Sequence, residues 1–191
     1  MDISSKAIKI GEELFYSLID FVSSQLSKDE DKKDVFLTKN GKSKIAWKIK
    51  KITGEFGLPL NEKIDLFVSC NMFNELCWNE KESDIAKRGA MINSYLKEDA
   101  KVLVVEPGLP IGGKIVSSFR SNFLKRGFSL LSPCPHNCVC PIHEKNEKGI
   151  CMANKKWCHF VFSTARAPSN LLDLSEKVHL AKKTVALSYI Y

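Results

Sequence analysis

From Ile64 onward, short apolar runs alternate with stretches of helical spacing, and this alternation restricts the fold more than any other feature of the sequence. Ile64-Asp65-Leu66-Phe67-Val68-Ser69-Cys70 suits a buried parallel strand. Residues 80–97 then read as a helix with Ile85, Met91, Ile92 and Leu96 on its buried side. Residues 101–106, Lys-Val-Leu-Val-Val-Glu, form the strongest strand signal in the chain. Pro107-Gly108-Leu109-Pro110 predicts a turn, since proline and glycine there oppose both strand and helix. Residues 112–126 predict a helix closed by Lys125-Arg126 and the cap Gly127. Residues 128–131, 158–164 and 186–191 predict further strands. Such strand–helix alternation is the grammar of a doubly wound α/β sheet, whose ligands bind beyond the carboxyl ends of its strands. Residues 71–76, 106–110 and those from Ser132 onward would share that rim.

The first third reads differently. Residues 3–26 place Ile3, Ala7, Ile10, Leu14, Leu18, Phe21, Val22 and Leu26 at helical spacing. Residues 27–34 are a charge run expected to form an exposed turn or linker. Residues 42–58 interleave Ile45, Ile49, Ile52 and Phe56 with lysines and suggest a second helix. The expected division is a helical segment over 1–60 and an α/β domain over 61–191. The opening residues are polar and carry an acid, unlike a secretory signal, and no run approaches the roughly 18 apolar residues of a membrane span. A cytoplasmic, reducing location and no membrane partner are expected. The net charge of +7 favours polyanionic partners, although a lysine-rich solvated surface gives the same number.

Cys134, Cys138, Cys140, Cys151 and Cys158 crowd into one short stretch. Disulfides are unexpected in a reducing compartment, so a metal loop over 133–159 is the stronger reading. Thiolates hold zinc or iron–sulfur clusters in sets of four drawn from two short segments. Pro133, Pro135 and Pro141 stiffen the first segment, and His136, His143 and His159 stand near enough to substitute as ligands. Spacing alone leaves zinc and iron–sulfur both open. Cys70 and Cys77, set among apolar residues, are expected to be buried thiols.

Three stretches in order carry a family resemblance: Asp65-Leu66-Phe67-Val68 leading to Asn74-Glu75-Leu76; Glu106-Pro107-Gly108-Leu109-Pro110-Ile111-Gly112; and Pro133-Cys134-Pro135-His136 with Cys140-Pro141 and Trp157-Cys158-His159-Phe160. Over residues 64–191 the chain resembles the ribosomal small-subunit methyltransferase-like family. The resemblance implies an incomplete doubly wound, Rossmann-like methyltransferase sheet with a cysteine-rich metal-binding insertion. It implies a four-iron–four-sulfur cluster, matched here by Cys134, Cys140 and Cys158. The family's fourth ligand falls beyond Tyr191, and Cys151 or Cys138 is its candidate replacement. It also implies a cofactor rim for S-adenosylmethionine at Asn71, Asn74, Glu75, Glu106, Pro107 and Gly108.

This chain departs from the family where the cofactor should sit. Cofactor turns need glycine so that backbone can approach the ligand. Before residue 64 the glycines are Gly11, Gly41, Gly54 and Gly57, and none follows an apolar strand ending in an acid. The chain is therefore expected to be a C-terminal portion of the family domain, binding S-adenosylmethionine only within a complete domain, and no catalytic residue is assigned. Purely structural roles stand beside the functional ones: helix capping for Asn74 and Glu75, and a carboxylate bonded to backbone amides of the proline–glycine turn for Glu106. The leading functional expectation is a metal-bound module that faces ribosomal RNA and helps build the small subunit. Lys155, Lys156, Arg166, Lys177, Lys182 and Lys183 stand against only Asp173 and Glu176 in the tail segment. The alternative is a methyltransferase acting on ribosomal RNA or a ribosome-associated target.

Overall fold

The computed structural model describes residues 4–26, 50–79, 81–140, 142 and 156–191. The expectations that fall on the 27–34 charge run, on 42–49, and on His143, Cys151 and Lys155 lie outside the described residues. The chain divides into two compact units, Met1–Leu58 and Pro59–Tyr191. Among the described residues, no helix is long and apolar enough to cross a membrane.

In the first unit, α1 (Ser5–Leu26) follows the apolar spacing. Ser4 begins it by accepting the Ala7 amide on its side-chain oxygen at 3.2 Å, the usual way to satisfy an orphan N–H of a first turn. The described part of the expected second helix, residues 50–58, is irregular instead. Gly54 (φ 154°) and Gly57 (φ 120°) hold backbone conformations that a helix cannot use. Lys51 ties this stretch to α1 through an ion pair with Glu12 at 2.7 Å.

The second unit is built from β1 (Ile64–Cys70), α2 (Phe73–Leu76), α3 (Glu82–Tyr95), β2 (Leu96–Pro107), α4 (Pro110–Lys125), β3 (Phe160–Ser163), α5 (Ser169–Lys177) and β4 (Thr184–Ile190). The four strands lie in the order β1-β2-β4-β3. β1 and β2 are parallel, whereas β4 runs antiparallel to both β2 and β3. β3 therefore points the same way as β1 and β2, and β4 is a reversed strand set among them. The result is a mixed α/β sheet compatible with a Rossmann-like fold.

Register sorts the side chains by face. Phe67 and Ser69 align with Val102 and Val104, and Val104 and Glu106 align with Ile190 and Ser188. That face packs under α4, where Ile115, Val116, Phe119 and Phe123 are buried. Phe73 meets Phe119 edge-on at 4.8 Å, so the short α2 is anchored in the same core. α3 crosses α4 closely at Gly89, where a Cβ would stand 3.0 Å from the Phe119 ring. On the opposite face Leu66, Val68 and Phe162 remain exposed.

α4 ends as its sequence predicts. Gly127 takes a positive φ of 88°, its N–H reaches Leu124 O, and the Phe128 N–H reaches Phe123 O, which together close a Schellman cap. The strand expected over 128–131 does not form. Leu131 and Ser132 donate to Tyr191 O, but the Leu130 N–H is taken by the Asn137 side chain at 3.3 Å, so no ladder continues. Cys77 is buried as expected; Cys70 is exposed, because its position in the β1 alternation falls on the open face.

Candidate functional site

The rim at the carboxyl ends of β1 and β2 is closed by one carboxylate. Alternation along β2 turns Glu106 toward the helix-covered face, where its side chain is 0% exposed. Its two oxygens accept the Phe73 N–H at 2.9 Å and the Asn74 N–H at 3.0 Å. These are the first amides of α2, which has no residue of its own capping it. β1 turns into α2 through Asn71, whose φ of 54° is a left-handed conformation that Asn tolerates better than most residues. Asn71 N donates to Val105 O at 2.8 Å, so the turn is pinned to β2. Oriented with its nitrogen toward both acceptors, the Asn74 amide donates to Asn71 O at 3.0 Å and to Glu106 Oε2 at 2.8 Å. Burial pushes the Glu106 carboxyl above its ordinary range. The amides of Phe73, Asn74 and Met72 pull it partly back, and the charge of Glu75 pushes it further up.

Of the rim residues expected from sequence, Asn71, Asn74 and Glu106 thus form one hydrogen-bonded corner. Glu75 is exposed beside it. Pro107 and Gly108 lie at the same strand end, facing β4. Gly108 N donates to Ala186 O at 2.8 Å, and a Cβ on Gly108 would stand 2.6 Å from that of Ala186. Trp157 Nε1 donates to Gly108 O at 2.9 Å. The glycine in this turn lets protein backbone approach protein backbone. Glu106 bonds amides across the β1–α2 corner rather than those of its own proline–glycine turn.

The cysteine segments converge on one face of α4. At Gly113 a Cβ would stand 2.8 Å from the Trp157 Cβ and 3.1 Å from Cys158 O, so glycine there lets the Trp157-Cys158 backbone rest directly on the helix. Ser188 of β4 donates to Cys158 O at 2.6 Å. Two turns further along α4, Arg120 is 8% exposed, and its Nη2 donates to His136 O at 3.2 Å and Cys138 O at 2.7 Å. Within that segment the His136 N–H reaches Cys134 O at 2.8 Å. The Cys158 thiol is pushed up, first by burial and then by Cys134 and Cys140, while Arg120 acts in the opposite direction. Cys158 therefore lies within electrostatic reach of Cys134 and Cys140, which come from the other segment. Cys138, by contrast, is exposed. Among the described residues, no three Cys, His, Asp or Glu side chains already stand as a metal-ligand set. Arg120 escaped the sequence reading, though its signal was present: an arginine on the buried face of a helix, one position after Phe119 and four after Val116.

A parallel strand pair joined through helices, a rim at its carboxyl ends and a reversed strand beside it define a mixed α/β protein whose four-stranded sheet is compatible with a Rossmann-like fold. The family model for mitochondrial small ribosomal subunit Rsm22 matches residues 5–190, and the chain belongs to that family. The match takes in α1 and residues 5–58 of the first unit, whereas the motif resemblance begins at residue 64. A comparison with curated proteins finds no match.

Proposed function

We propose that this chain works with the small ribosomal subunit, as an assembly or translation-associated protein that holds a metal through its cysteines and turns a basic end of its sheet toward ribosomal RNA. The observation that carries the reading is the family match over residues 5–190. The metal part is supported by the convergence of Cys134, Cys140 and Cys158 on α4. Three thiolates and a fourth, from Cys151 or Cys138, fit the chemistry of a four-iron–four-sulfur cluster, with zinc as the alternative. Such a centre would tie the 134–140 segment to β3 and hold both in place.

The RNA-facing part is supported by register. Phe160 of β3 aligns with Leu187, and Leu187 aligns with Pro107 at the end of β2. The far ends of β3 and β4 therefore extend past the carboxyl end of β2, on the side where open α/β sheets bind ligands. Arg166, Lys182 and Lys183 are exposed there, and Thr164 N–H bonding to Lys183 O at 3.1 Å holds the two basic stretches together. The test is recovery of RNA with the tagged chain from cells of its source. Enrichment of small-subunit over large-subunit RNA is expected, and equal recovery of both would overturn the reading.

A second reading, an S-adenosylmethionine-dependent methyltransferase, is favoured by the Asn71–Asn74–Glu106 corner at the strand rim. Calorimetry separates the two. Little or no binding of S-adenosylmethionine by this chain is expected, and a dissociation constant in the low micromolar range, about −8 kcal/mol, would restore the enzyme reading.

A further inference from the structure

The thiol segments rest on α4 through two contacts, and the second is a buried cation. Arg120 sits on the helix face that also carries Gly113 and Val116, seven and four residues before it. An isolated guanidinium is costly to bury unless its donors are used. One nitrogen, Nη2, is used twice, on the carbonyls of His136 and Cys138, both inside the segment bounded by Cys134 and Cys140. Among the described residues the Nε–H has no acceptor, although it is fully buried. A full positive charge is therefore held against the backbone of the segment bounded by Cys134 and Cys140, within electrostatic reach of Cys158.

We infer that Arg120 is the positioning residue of the thiol site: it fixes the 134–140 segment on α4 before metal arrives and offsets the charge of the ligated thiolates. The inference rests on the metal reading given above. Two effects follow from the geometry. The carbonyl bonds restrict the conformations of the segment, so less order remains to be imposed when metal binds. The buried charge offsets the negative charge that ligated thiolates would gather. Groups that orient metal ligands without touching the metal are commonly worth a factor of about 10–100 in metal affinity.

The experiment compares full-length wild type with Arg120→Met, Arg120→Lys and the Cys134/Cys140/Cys158→Ser triple variant. Each is reconstituted anaerobically with ferrous iron and sulfide, and separately with zinc(II). Retained metal is measured against rising chelator, and the thermal midpoint of the metal-free protein is recorded alongside. Arg120→Met should release metal at roughly a tenth or less of the chelator concentration that wild type withstands. Arg120→Lys keeps the charge but loses the planar two-carbonyl reach, and should fall between the two. A lowered thermal midpoint in Arg120→Met with wild-type metal retention would mean that Arg120 only packs the core, and would overturn the inference. If Arg120→Met does not fold, wild-type metal retention by Arg120→Lys, which loses the two-carbonyl reach, would overturn it equally. Stoichiometric metal in the triple cysteine variant would instead sink the metal reading itself, a separate result.

Discussion

Replacing Glu106 with glutamine alters one atom of the corner that joins β1, α2 and β2. The wild-type carboxylate is wholly buried and accepts the Phe73 and Asn74 amides at 2.9 and 3.0 Å. Glutamine keeps one acceptor and turns an NH₂ group toward a backbone donor, leaving one buried N–H unpaired. A buried unpaired donor costs about 1–3 kcal/mol. Glu106→Gln should therefore destabilise by about 2 kcal/mol. Glu106→Ala, which orphans both amides and leaves a cavity, should cost about 3–5 kcal/mol. For a unit the size of Pro59–Tyr191 each kilocalorie lowers the thermal midpoint by roughly 3–5 °C.

The pH dependence carries a sign as well. The folded carboxyl titrates above its ordinary value of 4.5, because burial outweighs the amides that pull it down. Between those two values the native state holds a proton that the unfolded chain has released, so the Glu106 contribution falls as pH rises through the window. Glutamine carries no such proton, and the cost of Glu106→Gln should shrink from the acid end of that window toward neutrality. Urea unfolding followed by circular dichroism from about pH 4 to about pH 7 measures both effects. Identical midpoints for wild type and Glu106→Gln at every pH would refute the claim that this carboxylate holds the corner.

Gly112 lies in the first turn of α4 against the preceding turn, where a Cβ would collide with the carbonyl oxygen of Pro107. Gly112→Ala should cost about 1–3 kcal/mol in urea unfolding, despite the better helix propensity of alanine, and unchanged stability would show that the turn yields freely. Anaerobically purified wild type should carry metal that Cys158→Ser alone reduces, read by elemental analysis. Wild-type metal content in that variant would remove Cys158 from the ligand set.

The strands that bear on the rim were legible because β1 and β2 are dense apolar runs, and the end of α4 was legible because Gly127 can adopt what few other residues can. Boundaries without punctuation were not. α3 passes directly into β2 at Leu96 with no glycine or proline between them, so the strand begins earlier than its strongest run suggests. α5 went unforeseen because its leucines, Leu171 and Leu174, are exposed and read as part of a basic tail. Strand direction was hidden as well. Nothing in Thr184–Ile190 announces that β4 runs against its neighbours, since direction depends on pairing partners remote in sequence. The cysteines were legible as a cluster from spacing alone. Their placement on α4 was not, because it depends on Gly113 and Arg120, two positions inside a helix that the periodicity treats as filler.

Equilibrium binding of the purified chain to isolated small-subunit particles across a salt series tests the proposed function most directly. Selective binding to small over large subunits is expected, with the logarithm of affinity falling linearly with that of salt as cationic side chains displace counterions from phosphates. Replacing Arg166, Lys182 and Lys183 together with alanine should flatten that slope by up to about three units, one for each phosphate left without its cation, while leaving metal content unchanged. Equal binding to both subunits, or a slope untouched by the triple replacement, would contradict the placement of RNA at the basic end of the sheet.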